Sequence, residues 1–248
     1  RLVKKDGSIA TIDDIQNTHQ LLDLWKGEIH STFTMDNEKI EVITFCHPNN
    51  DQVFVKVISP LLQQGRLQLQ VQFSYPTGAW NDEGTLYQQE NKHTSSIVSL
   101  SKNDAVIQHV LDTTRYWVKI HSNTNVDCQS IEPHHFIVTP QSINNIWECS
   151  ILFQSKNEPL SVSAFESAKL INQQAWKQFW NTTGVIDFSG SKDTRAFELE
   201  RRVILSQYLM HVQERGVLPP QETGLVNNSW FGKPHLEMTW WHLAHNGL

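Results

Sequence analysis

The sequence predicts an α+β protein of more than one domain, in which an antiparallel β-sandwich precedes a set of helices. Apolar and polar residues alternate from Leu67 to Phe73, and other β-rich runs fill the first 160 residues between turn-forming Pro, Gly, Asn and Asp residues. Alternation of this kind places one face of a strand in a core. Short strands with frequent turns are typical of a sandwich. Strands do not alternate with helices along the chain, so a parallel sheet is not expected.

Helical spacing replaces the alternation near residue 160. Ser161 or Ser163 can begin a helix, because Glu166 stands at capping-box distance from Ser163. The apolar stripe of this helix consists of Ala168, Ile171, Ala175, Trp176, Phe179 and Trp180. A second helix is expected from a cap at Asp193. Its apolar face holds Ile204, Leu205, Tyr208, Leu209 and Val212.

A third helix is expected to begin near His235. The sequence therefore predicts a sandwich over residues 1–160, a linker helix over 161–192 and the opening of a helical domain over 193–248. Two helices and a short third cannot enclose a core, so we expect the helical domain to continue beyond this segment. The alternative is a complete protein whose few helices pack on the sandwich.

Composition and charge exclude several classes of protein. The 20 Lys and Arg residues are outnumbered by 26 Asp and Glu, so we expect no nucleic-acid partner. The absence of an 18-residue apolar run predicts no membrane span. The chain begins with Arg1 and shows no secretory leader, which suggests that it starts inside a longer product. The three cysteines include no Cys-x-x-Cys pair and are expected to be buried thiols.

Side chains that could carry chemistry concentrate in residues 219–245, which read PPQETGLVNNSWFGKPHLEMTWWHLAH. Indole rings can stack on the C–H faces of sugars, and carboxylates, amides and imidazoles can bind hydroxyl groups. The candidate substrate-binding residues are Gln221, Glu222, Trp230, Lys233, His235 and Glu237. This mixture indicates a carbohydrate ligand.

Each candidate also has a purely structural interpretation. Glu222 could satisfy N–H groups of the loop, Glu237 could complement a helix dipole, and Lys233 could be a solvated loop lysine. Trp240 and Trp241 point about 100° apart on a helix, so we expect at least one in a core. His235 and His242 share a helix face, but the HExxH spacing is absent, and we expect no metal and no cofactor. Walker, GxSxG and GxGxxG motifs are absent as well.

The strings ELERRVILSQYL, PPQETG and NSWFGKPHLEM resemble the start of the catalytic domain in the six-hairpin glycosidase superfamily, in bacterial and fungal proteins related to glycoside hydrolase family 65. LLDLWKGEIHSTFTMDNEKIEVITFCHP and NNDQVFVKVISPLLQQGRL are similar to the N-terminal β-sandwich of those proteins, and AWKQFWNTTGVIDFSG resembles their linker. The resemblance implies that the last helices open an (α/α)6 barrel and that the substrate is a saccharide.

The resemblance also assigns roles to residues. Family 65 enzymes hold the sugar at the cleavage point with a Trp-Asp pair, and Leu236-Glu237 aligns with it here. Glu237 keeps the carboxylate of that pair, but Leu236 lacks the aromatic face on which a sugar ring can stack. Trp230 or Trp240 is therefore expected to supply this aromatic face. Glu237 and His235 would hold sugar hydroxyls, beside a wall of Glu222, Lys233 and Trp230. The general acid is expected beyond Leu248.

The function that follows is the N-terminal portion of an inverting glycoside hydrolase that acts on an α-linked oligosaccharide. The alternatives are a non-catalytic carbohydrate-binding or structural module, a disaccharide phosphorylase, and an assembly protein that uses its Trp-rich end as an interface. An extracellular or periplasmic location is favoured over a cytoplasmic one. The sequence leaves the oligomeric state open.

Overall fold

The computed structural model describes residues 1–82, 84, 86–87, 91–141, 144–159, 163–216, 221–223 and 230–244, and of Trp230 and Leu243 it describes the backbone. The chain divides into two compact units. The first contains residues 1–73 and 89–177, and the second contains residues 74–88 and 178–248.

The described part of the first unit contains eleven β-strands. They are β1 (Gln16–Asp23), β2 (Glu28–Met35), β3 (Glu38–Cys46), β4 (Gln52–Ile58), β5 (Leu69–Gln72), β6 (His93–Leu100), β7 (Asp104–Leu111), β8 (Thr114–Ser122), β9 (Val126–Glu132), β10 (His135–Pro140) and β11 (Ile146–Gln154). They form an eight-stranded sheet in the order β1-β2-β3-β4-β11-β8-β7-β6 and a three-stranded sheet in the order β5-β10-β9. The strand pairs are antiparallel. The predicted β-rich, antiparallel organisation is therefore confirmed.

The two sheets share a hydrophobic core. Ile107 and Ile120 from the large sheet pack in one cluster with Phe136 and Val138 from the small sheet. Leu67 and Phe73, at the ends of the alternating run, are buried, and Leu69 and Val71 between them pack against the same core. The period-two pattern thus marks the strand face that joins the sheets.

Irregular pairing is concentrated at the sheet edges. Within the described strands, the register shifts occur in the pairs β1–β2, β6–β7 and β9–β10, each of which includes an edge strand. In β1 the shift lies between Gln16 and His19, and Asn17 there has a φ of 51°. Such β-bulges bend a strand and interrupt its ladder of hydrogen bonds.

Helix α1 (Phe165–Thr182) begins on the outer face of the large sheet. Phe165 and Ala168 pack against Phe45 and Phe54, and the ring of Phe165 meets the ring of Phe45 edge-on at 5.1 Å between centroids. Glu166 binds Lys56 with a 3.0 Å contact between its carboxylate and Nζ. The predicted helix is confirmed, and the partner found for Glu166 is a lysine of β4.

The predicted stripe of α1 is wrong at Ile171, which is 39% exposed. The adjacent Asn172 is buried instead, and its amide donates a 2.7 Å hydrogen bond to the carbonyl oxygen of Lys26. A buried polar group needs such a partner, and the β1–β2 turn supplies it. Polar contacts continue beside it, where the buried carboxylate of Glu28 accepts from Gln173 at 2.5 Å and lies 3.5 Å from Lys169 Nζ.

The second unit contains helices α2 (Ala196–Gln213) and α3 (Leu236–Leu243). Helix α2 begins three residues after the predicted cap. Asp193 organises the preceding turn, because its carboxylate accepts from Arg195 N–H at 2.9 Å and its carbonyl accepts from Ala196 N–H at 3.0 Å. Tyr208 is buried as predicted, whereas Val212 is exposed.

Several large apolar side chains of these helices are exposed. Phe197 and Leu199 on α2 and both Trp240 and Trp241 on α3 belong to this group. Both indoles are exposed in this segment, whereas the sequence predicts at least one of them in a core. No helix in the described ranges combines the length and apolar character that a membrane span requires.

Candidate functional site

Two short segments of the second unit pair to form the candidate site. Gln221 forms an isolated antiparallel bridge with Pro234, and Glu222 N–H donates to the carbonyl oxygen of Lys233 at 2.8 Å. This pairing brings Glu222 next to His235 and the start of α3. Residues 217–220 and 224–229 lie outside the described part of the chain.

His235 lies between two carboxylates. Its Nδ1 is 3.6 Å from Glu222 Oε1, and its Nε2 is 3.7 Å from Glu237 Oε2. These separations exceed ordinary hydrogen-bond lengths and leave oxygen lone pairs available to a ligand. The His235 side chain is half exposed and that of Glu237 is 70% exposed. A ligand can therefore reach both groups from solvent.

His242 fixes the far end of α3 to the same segment. Its Nε2 lies 2.8 Å from the carbonyl oxygen of Glu222. A carbonyl only accepts, so Nε2 carries the proton in this pair. The contact holds Glu222 from the side opposite its pairing with Lys233, which limits the movement of its carboxylate relative to His235.

The backbone before α3 adopts an uncommon conformation. Phe231 has a φ of 57° and Gly232 a φ of 66°, which places two consecutive residues in the left-handed region. Glycine adopts this conformation without steric cost, whereas phenylalanine adopts it at a steric cost. Residues held in this way occur preferentially at functional sites. The turn aims the chain from the short 3-10 helix Trp230–Gly232 into Lys233 and His235.

The predicted residues divide into three groups. Glu222, His235 and Glu237 are brought together, as the two distances between the imidazole nitrogens and the carboxylate oxygens show. Gln221 and Lys233 contribute through the backbone pairing that places Glu222. The side chain of Trp230 lies outside the described part of the structure. The anchoring role of His242 was not predicted, and His235 is the residue that precedes α3, with an extended backbone.

Aromatic surface adjoins the carboxylate of Glu237. Trp240 and Trp241 follow Glu237 by three and four residues, and side chains at these spacings are neighbours on a helix. Both indoles are exposed. The arrangement combines flat apolar faces with hydrogen-bonding groups. Over the residues that are described, no group of three or more His, Cys, Asp or Glu side chains is arranged to hold a metal ion.

No known family model matches the sequence, and none of the curated proteins matches it. Among solved structures, the chain is similar to a human-microbiome protein assigned as a kojibiose phosphorylase, with a TM-score of 0.53 and 12% identity. The match covers 79% of this chain and 28% of that protein, so the chain spans less than a third of its length. The similarity shows a shared fold.

More distant similarity links the chain to a family GH92 α-mannosidase from Bacteroides thetaiotaomicron, with a TM-score of 0.36 and 7% identity over 81% of this chain and 27% of that one. A structure of the same enzyme with mannoimidazole gives a TM-score of 0.35 and 6% identity over the same shares of the two chains. TM-scores this low do not establish a common fold.

Proposed function

We propose that this chain is the N-terminal portion of an inverting glycoside hydrolase that cleaves α-linked oligosaccharides. The observation that carries the proposal is the position of His235 between the carboxylates of Glu222 and Glu237 at the start of α3. The fold shared with the protein assigned as a kojibiose phosphorylase supports it. Inversion requires two carboxyl groups about 6.5–9.5 Å apart, one acting as acid and the other as base for a water molecule.

In this proposal the residues of the second unit bind sugar and do not transfer the proton. Glu237 and His235 bind hydroxyl groups at the cleavage point, the side wall consists of Glu222, Trp230 and Lys233, and Gln221 is a further binding residue. The general acid lies beyond Leu248. Because Glu237 and Trp240 are neighbours on one helix face, the same sugar ring can hydrogen-bond to the carboxylate and stack on the indole.

The proposed domains are a β-sandwich over residues 1–160, a linker helix over 161–192 and the start of an (α/α)6 barrel over 193–248. The exposed apolar side chains of Phe197 and Leu199 support the barrel assignment, because α2 then presents them to further helices. An apolar helix face of this kind requires neighbouring elements.

A disaccharide phosphorylase is the second candidate, and the similarity to the protein assigned as a kojibiose phosphorylase favours it. In such a reaction inorganic phosphate replaces water as the nucleophile, and the product is a sugar 1-phosphate. The two reactions are distinguished by their dependence on phosphate.

The proposal is tested by following the cleavage of α-linked glucose disaccharides by the full-length protein. Nuclear magnetic resonance of the products, with and without inorganic phosphate, identifies the nucleophile and the anomer that is released first. We expect a β-anomer without a phosphate requirement. We expect Glu237→Gln to lower kcat/KM by about 100-fold or more, because it removes a charged hydroxyl acceptor from the cleavage point.

Glu132→Gln is the matched control. Glu132 is also 70% exposed and lies 3.4 Å from a histidine, His135, but it belongs to the first unit. Its substitution should leave kcat/KM unchanged. Equal turnover by the Glu237→Gln variant and the unaltered protein would remove the central residue of the proposed site. Saccharide binding without turnover would favour the non-catalytic module.

A further inference from the structure

A second concave site lies entirely within the first unit, on the outer face of the large sheet beside the start of α1. The cavity has a volume of about 240 Å³. Its floor includes the aromatic rings of Phe54 and Phe165, both of which are buried. Its polar wall consists of His121, Asn123, Glu148, Ser150 and Ser163.

Strand pairing explains why these side chains meet. Ser150 of β11 is directly opposite His121 of β8 on one side and Phe54 of β4 on the other. Asp104 of β7 is in turn opposite His121. Directly paired residues project from the same face of a sheet, so β4, β8 and β11 contribute side chains to one cavity.

Four of the wall residues are each held through one atom. His121 Nδ1 lies 2.6 Å from Asp104, and Glu148 Oε1 lies 2.9 Å from Lys56 Nζ. Asn123 Oδ1 accepts from Glu148 N–H at 3.0 Å, and Ser150 Oγ accepts from the Gln52 amide at 3.0 Å. Side chains fixed in this way do not need to be ordered when a ligand binds, which favours affinity.

The remaining polar atoms of the wall include both hydrogen-bond donors and acceptors. A carboxylate only accepts, so Nδ1 of His121 carries a proton, and in the neutral imidazole Nε2 is then an acceptor. Glu148 Oε2 is another acceptor, while Asn123 Nδ2 and the Ser150 hydroxyl are donors. Counting only residues that the structure describes, neither His121 Nε2 nor Glu148 Oε2 nor Asn123 Nδ2 has a hydrogen-bond partner.

The local charges argue against an anionic ligand. Lys56 already lies within 3.0 Å of both Glu148 and Glu166, and the negative charge of Asp104 adjoins His121. An anion would meet these carboxylates. The hydroxyl groups of a neutral ligand both donate and accept hydrogen bonds. They can therefore pair with the two acceptors and the two donors of the wall. The volume is below the roughly 300–1,000 Å³ that is typical of pockets for drug-sized ligands, so one ring fits better than a chain of rings.

We propose that this cavity binds a single neutral sugar ring, either a free hexose or the terminal unit of a saccharide. The apolar faces of the ring lie over the aromatic floor, and its hydroxyls pair with His121, Asn123, Glu148 and Ser150. The site does not involve α3, and it does not depend on the hydrolase proposed above.

Saturation-transfer nuclear magnetic resonance of the 248-residue chain with glucose, galactose and mannose tests the proposal. We expect saturation transfer to at least one hexose. Asn123→Asp should weaken that binding about tenfold or more, because it keeps the Oδ1 acceptor for Glu148 N–H and replaces the donor amide by a second acceptor. The matched control is Asn49→Asp, which makes the same change at an exposed position and should leave the affinity unchanged.

A blocking variant guards against a folding defect in Asn123→Asp. Ser163→Phe places a ring in the cavity from a partly exposed position ahead of α1 and should also abolish binding. The proposal is overturned if none of the three hexoses receives saturation, or if both variants keep the affinity of the unaltered chain. It is also overturned if Glu237→Gln, and not these variants, removes the signal, because the hexose then binds at α3.

Discussion

Gly27 shows how the identity of one residue controls the contact between a hairpin and a helix. It lies in the turn between β1 and β2 with a φ of +60°, and the Trp176 indole of α1 occupies the space where a side chain would be. A Cβ atom at this position would lie 1.8 Å from Trp176 Nε1. Glycine is therefore required for two reasons, the left-handed backbone and the close approach of the ring.

Gly27→Ala should lower the free energy of unfolding by roughly 2–5 kcal/mol, since left-handed strain and overpacking add. Gly65→Ala separates the two effects, because Gly65 has a φ of +66° and no atom within 4 Å of a built Cβ. Its cost should be about 1–2 kcal/mol. Urea unfolding of both variants measures the difference. Equal losses would show that Trp176 does not pack on Gly27.

At the level of elements, α1 is held to the β1–β2 turn by a polar contact. Asn172 is 2% exposed and donates to Lys26 O at 2.7 Å, whereas Ile171 is 39% exposed. Removing one partner of a buried hydrogen bond leaves the other without a partner. The polar residue is therefore expected to contribute more to stability here than its apolar neighbour.

Asn172→Ala should lower the free energy of unfolding by about 1–3 kcal/mol. Ile171→Ala, the control on the same turn of the helix, should change it by no more than about 0.5 kcal/mol. Thermal and urea unfolding followed by circular dichroism give both values. If Ile171→Ala lowered the free energy of unfolding more than Asn172→Ala does, Ile171 would belong to the buried apolar face that the sequence predicts.

This contrast shows what helical periodicity can and cannot predict. Spacing predicted α1 and the burial of Ala168 and Trp176, because apolar faces follow the helical repeat. It could not predict Asn172, whose acceptor lies 146 residues away in the chain. The candidate site shows the same limit. Residue types identified Glu222, His235 and Glu237, but their proximity depends on the bridge between Gln221 and Pro234.

At the level of the whole molecule, acid stability depends on a histidine cluster where the two sheets meet. His93 of β6, His109 of β7 and His134 before β10 are buried together, and Tyr116 of β8 faces His109. Ser95 Oγ lies within hydrogen-bond distance of His109 Nδ1 and His134 Nδ1. Burial, reinforced by the neighbouring His93 and His134, lowers the pKa of His109 to about 4, and burial also lowers the pKa of His93.

A lowered histidine pKa means that the unfolded chain binds more protons than the folded chain between about pH 6.5 and pH 4. The free energy of unfolding should therefore fall as the pH is lowered through this range, by about 1–3 kcal/mol for His109. His109→Gln should flatten the profile, and His19→Gln, at an exposed position of β1, should not. Urea unfolding at several pH values measures the slope. Parallel profiles for the unaltered chain and His109→Gln would contradict the assignment.

The bulges at the sheet edges have a consequence for behaviour at high concentration. A regular outer strand has unpaired N–H and C=O groups, and a strand of a second molecule can form hydrogen bonds with them. Fibrils grow when such strand pairing is repeated from one molecule to the next. Here β1 begins with a kinked, polar stretch around Asn17, and β6 is interrupted between Ile97 and Ser99. Each outer strand of the eight-stranded sheet therefore contains a bulge, and such bulges disfavour edge-to-edge pairing with another sheet.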